Sequence, residues 1–266
     1  MSWSRTKIPV LRTWWTDRST RLLRIAVVFL AALALLKLGD EFRRLLWESG
    51  RTGAIDLKNL HDVVQRWFAG RPVYSELKHA VLPPATYTIL WLFLGWLALT
   101  PARWLWAVTT VAALGWLAYL IVQQSGADTP LERVFAMLML LSMNATGVTV
   151  GNGQLIVHLL PALLTGLLLL QREGCGWHED LLAAALLLVT LVKPSVSLPF
   201  FWIVLFSPRP LRSVLLITLG YLALTLLAAQ FQEPELWTLL QGWLVHGSAE
   251  AVEGGVRKLA DLGRRF

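Results

Sequence analysis

The sequence predicts an all-α, polytopic transmembrane helical bundle, and three observations carry that prediction. Apolar runs recur along almost the whole chain, parted by short polar turns. Hydrophobic residues make up 56% of the 266 and charged ones 15%, with a mean hydropathy of +0.57; a soluble domain of this size does not use that much apolar surface. Fourteen tryptophans suit the interfacial belts of a membrane protein. The net charge of +7 and pI near 10 do not point to nucleic acid, because the basic residues are not interleaved with exposed aromatics on a soluble fold. Positive-inside placement explains them instead. A single cysteine, Cys175, excludes an internal disulfide and any cysteine-built metal site, and is read as inert.

Residues 1–24 carry Arg5, Lys7, Arg12, Arg18, Arg21 and Arg24 against Asp17 alone, which makes this basic arm cytoplasmic. No cleavable signal peptide is expected, since the arm is long and no small-residue cleavage pattern follows the first apolar run. Residues 25–38 centre the first span, which Leu22 and Leu23 extend to about the 17 residues that crossing requires. Gly39-Asp40-Glu41 opens an external segment, with residues 42–47 as a short interfacial turn. Pro83-Pro84 begins a second span ending at Leu99, followed by a cytoplasmic turn from Thr100 to Arg103. Residues 104–122 form a third span, and 123–130 an external loop without Lys or Arg.

From Leu131 the pattern is less regular: 134–143 is apolar but short, and 144–154 is rich in small and polar residues. The sequon Asn144-Ala145-Thr146 falls in this stretch and reads as accidental. Residues 155–170 are apolar with Pro161 inside, 181–192 and 196–206 flank Lys193-Pro194, and 214–229 is the last clear span. Residues 231–266 are a mixed interfacial segment and polar tail. Seven to nine spans result, depending on the short runs. If Arg172, Arg209 and Arg212 all lie inside, residues 181–206 enter and return as two short helices meeting near Lys193. Residues 131–154 are then incomplete or re-entrant, which is tolerated only where backbone lines protein or a water-filled cavity.

The polar stretch 53–84 is too long to be a mere connection. Within it Leu57, Leu60, Val64 and Trp67 recur at helical steps, widened by Val63 and Phe68, with Asp56 at the start and Gly70 and Pro72 at the stop. An amphipathic helix over 57–69 should therefore lie along the membrane surface, apolar side down.

Four residues stand out chemically. Asp56 reads on spacing alone as a helix cap. Lys193 interrupts an apolar run, where a lysine costs about 2.5–3.5 kcal/mol at the membrane centre; it either faces a cavity or snorkels to a helix end. Gln154 and His158 share a helical face, lining a cavity or bonding between helices. His61 and His79 show no metal-ligand spacing, so neither a metal nor another cofactor is expected.

These passages together resemble the polyprenol-phosphate-dependent glycosyltransferases of family 87: Asp56 through Gly70 with Tyr74, Pro83-Pro84, Gly153-Gln154 and Lys193-Pro194, in family order over residues 22–230. Two departures are Leu82, where the family usually has an aromatic, and an end near the close of the shared module, so that a C-terminally short version is expected. The resemblance implies a GT-C-like membrane module over 25–230 with an external catalytic loop at 40–84, in which Asp56 is the position matching the catalytic aspartate. Asp40, with Glu41 close to the first span, is the reserve candidate by position and reads otherwise as an interfacial cap. It further implies transfer of a hexose-type sugar, with inversion, from a polyprenyl-phosphate donor to a lipid or glycan acceptor on the external face of a bacterial plasma membrane. Lys193, Gln154 and His158 are then the donor-phosphate and cavity residues. A further membrane subunit is an open partner. The chemistry is compatible, because a base must take the acceptor proton whereas phosphate departs without a protonated carboxyl. The competing readings are a catalytically incomplete lipid-binding subunit and a small-solute transporter with broken helices.

Overall fold

The structure, a computed structural model, describes residues 9–48, 50, 52–174 and 176–263. Cys175 and the first eight residues of the basic arm lie outside them. Every regular element among the described residues is helical. Three helices among these residues are long and apolar enough to cross a membrane: Thr20–Trp47, Leu99–Gln124 and Pro210–Ala229.

The first helix, α1 (Pro9–Trp47), does not stop at Gly39. It continues for two more turns, with Arg43 bonded to Asp40 at 2.9 Å and Arg44 to Glu41, pairs three residues apart that support a helix. Asp40 and Glu41 are thus helical side chains, where a loop was expected. From Thr20 to Trp47 the axis measures about 40 Å at 1.5 Å per residue, enough to cross with turns to spare. Its outer face exposes Leu22, Ile25, Val28, Phe29, Leu35 and Leu36, as lipid contact requires. The N-terminal end of α1 marks the arm end of the molecule and its C-terminal end the loop end.

The region after Pro84 departs from the expected second span. Helix α3 (Pro84–Leu90) and the π-turn Trp91–Gly95 that prolongs it are together too short to cross, and both stay at the loop end. Carbonyls at its finish are met from α2 (Ile55–Phe68): Gln65 donates to Leu94 O at 2.6 Å, and His61 Nε2 lies 2.8 Å from Leu97 O. Helix α4 (Leu99–Gln124) therefore starts at the loop end, not in a turn on the opposite side. Arg103, buried in its first turns, donates to Leu46 O, Glu48 O and Gly53 O at 3.3, 2.9 and 3.4 Å. Those carbonyls lie at and just past the end of α1 and have no helical donor of their own. Arg103 is a cap rather than a topological charge.

With α4 starting at the loop end, the loop of residues 123–130 falls on the opposite side from the one expected. The loop after α4 lies at the arm end, where residues 129–132 and Val134 share a cleft of about 730 Å³ with Thr20, Leu23, Arg24 and Val27. Helix α5 (Pro130–Ser142) begins there with a Thr129/Glu132 capping box and runs beside α1. After a 53° bend, α6 (Asn144–Asn152) reaches the loop end, so 130–152 runs from the arm end to the loop end as a bent helix pair. Its small residues make a helix–helix contact. A Cβ at Gly147 would sit 3.0 Å from Lys37 Cε and one at Gly151 would overlap the Glu41 carboxylate. Lys37 Nζ also bonds Asn144 Oδ1.

Helix α7 (Ile156–Leu170) then leaves the loop end and α8 (Trp177–Thr190) returns to it, packed along α7. A 116° bend at Lys193 leads into α9 (Pro194–Ser197) and the 3-10 stretch Leu198–Phe206. Two short helical stretches thus meet near Lys193, which sits at their apex. At the base, the buried Asp180 carboxylate holds Arg209 at 3.1 Å and Arg212 at 2.9 Å, tying the start of α8 to that of α10 (Pro210–Ala229). Helix α10 climbs back to the loop end, and α11 (Leu236–Gly263) lies against residues 72–83.

Candidate active site

The loop end is held by an aromatic core to which the polar stretch supplies Trp67 and Tyr74 and α3 supplies Tyr87. Trp67 is fully buried, stacks on Tyr87 with centroids 4.5 Å apart, and donates from Nε1 to Ala228 O at 3.0 Å. Tyr74 and Tyr87 both donate their hydroxyls to Leu82 O, at 2.8 and 3.2 Å. Burial pushes the Tyr74 phenol well above its ordinary range, so it stays a donor there. Gly70, at φ +71°, closes α2 in the left-handed region that suits glycine. The sequence run from Trp67 to Tyr74 is therefore scaffold for the Leu82-Pro83-Pro84 turn.

The first turn of α2 is docked on the α6–α7 corner. Ala54 N donates to Gly151 O at 2.9 Å. Gly153, at φ +69°, approaches so closely that a Cβ there would lie 2.7 Å from Leu57 Cβ. Gln154 is thereby fixed beside the start of α2. Asp56 occupies the second position of the helix, after Ile55, and its side chain makes no hydrogen bond among the described residues; the residue before the helix is Ala54, at φ +51°. On spacing alone Asp56 read as the cap; the structure leaves its carboxylate free of that work. The lysine at the α8–α9 apex is positioned by its neighbour: Val192 O accepts from the buried Thr86 hydroxyl at 2.8 Å.

These two placements bring Asp56, Gln154 and Lys193 into one cleft of about 370 Å³, together with Asn59, Lys78 and His79. Asp56 is the sole carboxylate among the described residues that line it. A second groove of about 300 Å³ adjoins it, sharing Val81, Leu82 and Lys193, and is walled by Pro83, Pro194, Trp243 and Leu244. Lys193 thus stands between a polar cleft and an apolar groove. His79, half-buried in the cleft wall, is held below its ordinary pKa chiefly by burial, opposed by Asp62.

Two expected residues are elsewhere. His158 does not line this cleft; its Nε2 lies 3.0 Å from Thr109 Oγ1 and its ring 4.6 Å from that of Trp106, a contact between α7 and α4. Asp40 is exposed on α1 and bonded to Arg43. Sequence reasoning missed Lys78 and Asn59. Asn59 was within reach, since it follows Asp56 by three residues and so shares its helical face. Nothing local marks Lys78.

A model of glycosyltransferase family 87 matches residues 82–262, a stretch holding Gln154, His158 and Lys193 and beginning after Asp56. No curated protein and no solved structure matches the chain. The matched stretch is well over half of the chain, which belongs to glycosyltransferase family 87.

Proposed function

We propose that this membrane glycosyltransferase takes a hexose-type sugar from a polyprenyl-phosphate donor and passes it, with inversion, to an acceptor hydroxyl. The observation that carries the reading is the position of Lys193 at the joint of the two cavities. An amphiphile with a sugar head, a phosphate and an isoprenoid tail matches that division: polar head in the cleft, phosphate at the cation, tail along Pro194, Trp243 and Leu244. Asp56 is the base. Its carboxylate takes the acceptor proton as the acceptor oxygen bonds to the anomeric carbon. The bond from that carbon to the phosphate oxygen breaks, and polyprenyl phosphate leaves as an anion beside Lys193. A single displacement of this kind inverts the anomeric centre and needs one carboxylate, which is what the cleft offers. The basic arm supports a cytoplasmic N-terminus and hence a cleft on the external side of a bacterial plasma membrane. Acceptor and donor are both drawn from the membrane or its outer surface.

The test is donor binding across Lys193, Lys193→Arg and Lys193→Met in purified protein, with decaprenyl phosphate as the probe. Arg keeps a cation with different reach and should retain part of the affinity. Met keeps the stem and removes the charge, and should lose most of it. Equal binding by all three proteins would remove Lys193 from the phosphate.

A further inference from the structure

We propose that Asn59 and Gln154 form the sugar-recognising wall of the cleft, one from each of the two elements docked at Gly153; this rests on the donor reading above. The reaction itself sets the geometry. The acceptor oxygen, activated at Asp56, approaches the anomeric carbon from the side opposite the phosphate held at Lys193. The hexose ring is therefore confined between these two side chains. Asn59 lies one turn beyond Asp56 on the same face of α2, and Gln154 follows the glycine that touches Leu57. Both line the cleft, and neither amide side chain bonds to another described residue.

Their chemistry suits the task. A carboxamide both donates and accepts, as each sugar hydroxyl does, so one amide can hold two neighbouring hydroxyls. It carries no charge, and so does not compete with the lysines for phosphate or with Asp56 for the proton. The cleft is thus divided by type: cations Lys78 and Lys193, carboxylate Asp56, and two amides where the uncharged part of the donor must lie. Among the described residues, neither amide has a structural partner that would explain its presence.

The experiment compares two classes of lipid with each protein: bare decaprenyl phosphate, and decaprenyl phosphate esterified with mannose or glucose, which differ at C2. Wild type should bind at least one hexosyl ester more tightly than the bare lipid. Asn59→Ala and Gln154→Ala should each weaken that ester about three- to tenfold, the span of one neutral hydrogen bond, and leave the bare lipid unchanged. Asn59→Leu and Gln154→Met, which keep the volume, should do the same. Variants that weaken both lipids equally, or that leave the ester as tight as before, overturn the proposal, as does a wild type with no preference for either ester. Failure of wild type to bind the bare lipid would overturn the donor reading itself, a result separate from all of these.

Discussion

Replacing Asp56 by Asn separates chemistry from folding more cleanly at this site than any other change. Asp56 sits in the first turn of α2 without a side-chain cap bond, so its structural contribution is its charge near the helix N-terminus, about 0.3–1 kcal/mol. Helix α2 is anchored by Leu57, Val63, Val64 and Trp67, all buried, and each worth roughly 1.5–3 kcal/mol on burial. The neutral isostere should therefore leave the fold and its melting temperature close to wild type. A general base contributes about 10²–10⁴ in rate, equivalent to a barrier rise of about 2.7–5.4 kcal/mol at 1.36 per decade. The assay is single-turnover transfer from a decaprenyl-phosphate hexose in nanodiscs, read by mass spectrometry, beside thermal unfolding of the same preparation. Turnover should fall at least a hundredfold while unfolding shifts little and donor affinity is retained. Since no other carboxylate among the described residues lines the cleft, an Asp56→Asn enzyme as fast as wild type would refute not just this residue's role but the location of the chemistry.

Three other outcomes rest on the same geometry. Gly153→Ala should destabilise by about 2 kcal/mol or more, from the left-handed backbone together with the collision against Leu57; a melting temperature equal to wild type would show that α2 is not docked there. Arg103→Met should cost about 2 kcal/mol, the scale of hydrogen bonds to a charged group, and speed amide exchange at residues 46–48 and 52–57 specifically; a uniform change would contradict its capping role. His79 has a folded pKa below its ordinary 6.5, so the unfolded chain takes up a proton first as pH falls. Its contribution is complete above about pH 6.5 and is lost below it, and a His79→Gln variant should show a flatter acid limb in thermal unfolding.

Much of the candidate site lay open in the sequence because its signals are local. Asp56 heads a helix whose apolar stripe is visible at three- and four-residue steps, and Lys193-Pro194 breaks a run that nothing but a cavity or a helix end tolerates. The hairpin of 181–206 came from placing three arginines on one side. What failed was the order of crossings, and it failed for a physical reason: hydropathy reports how apolar a segment is, not what it packs against. Residues 84–87, Leu90 and Leu94 are buried beside α2 while Trp91, Leu92, Phe93 and Trp96 stay exposed, and the free carbonyls of Leu94 and Leu97 are met by Gln65 and His61, which are far away in sequence. Arg103 resembles a topological charge until the carbonyls it caps are seen. The small residues Gly147 and Gly151 gain a purpose only when Lys37 and Glu41 are found against them.

The sequence by itself determined the class of molecule: an apolar helical chain, a basic arm, an amphipathic helix headed by Asp56 and a lysine at a proline break. These depend on composition, periodicity and neighbours within a turn, which a linear reading contains. Tertiary structure alone decided that Asp56, Gln154 and Lys193 share a cleft while His158 turns away to Thr109. That outcome depends on the contact of Gly153 with Leu57 and the bond from Thr86 to Val192, between residues about a hundred positions apart. Close approach over such separations is set by packing, and packing is a property of the folded chain.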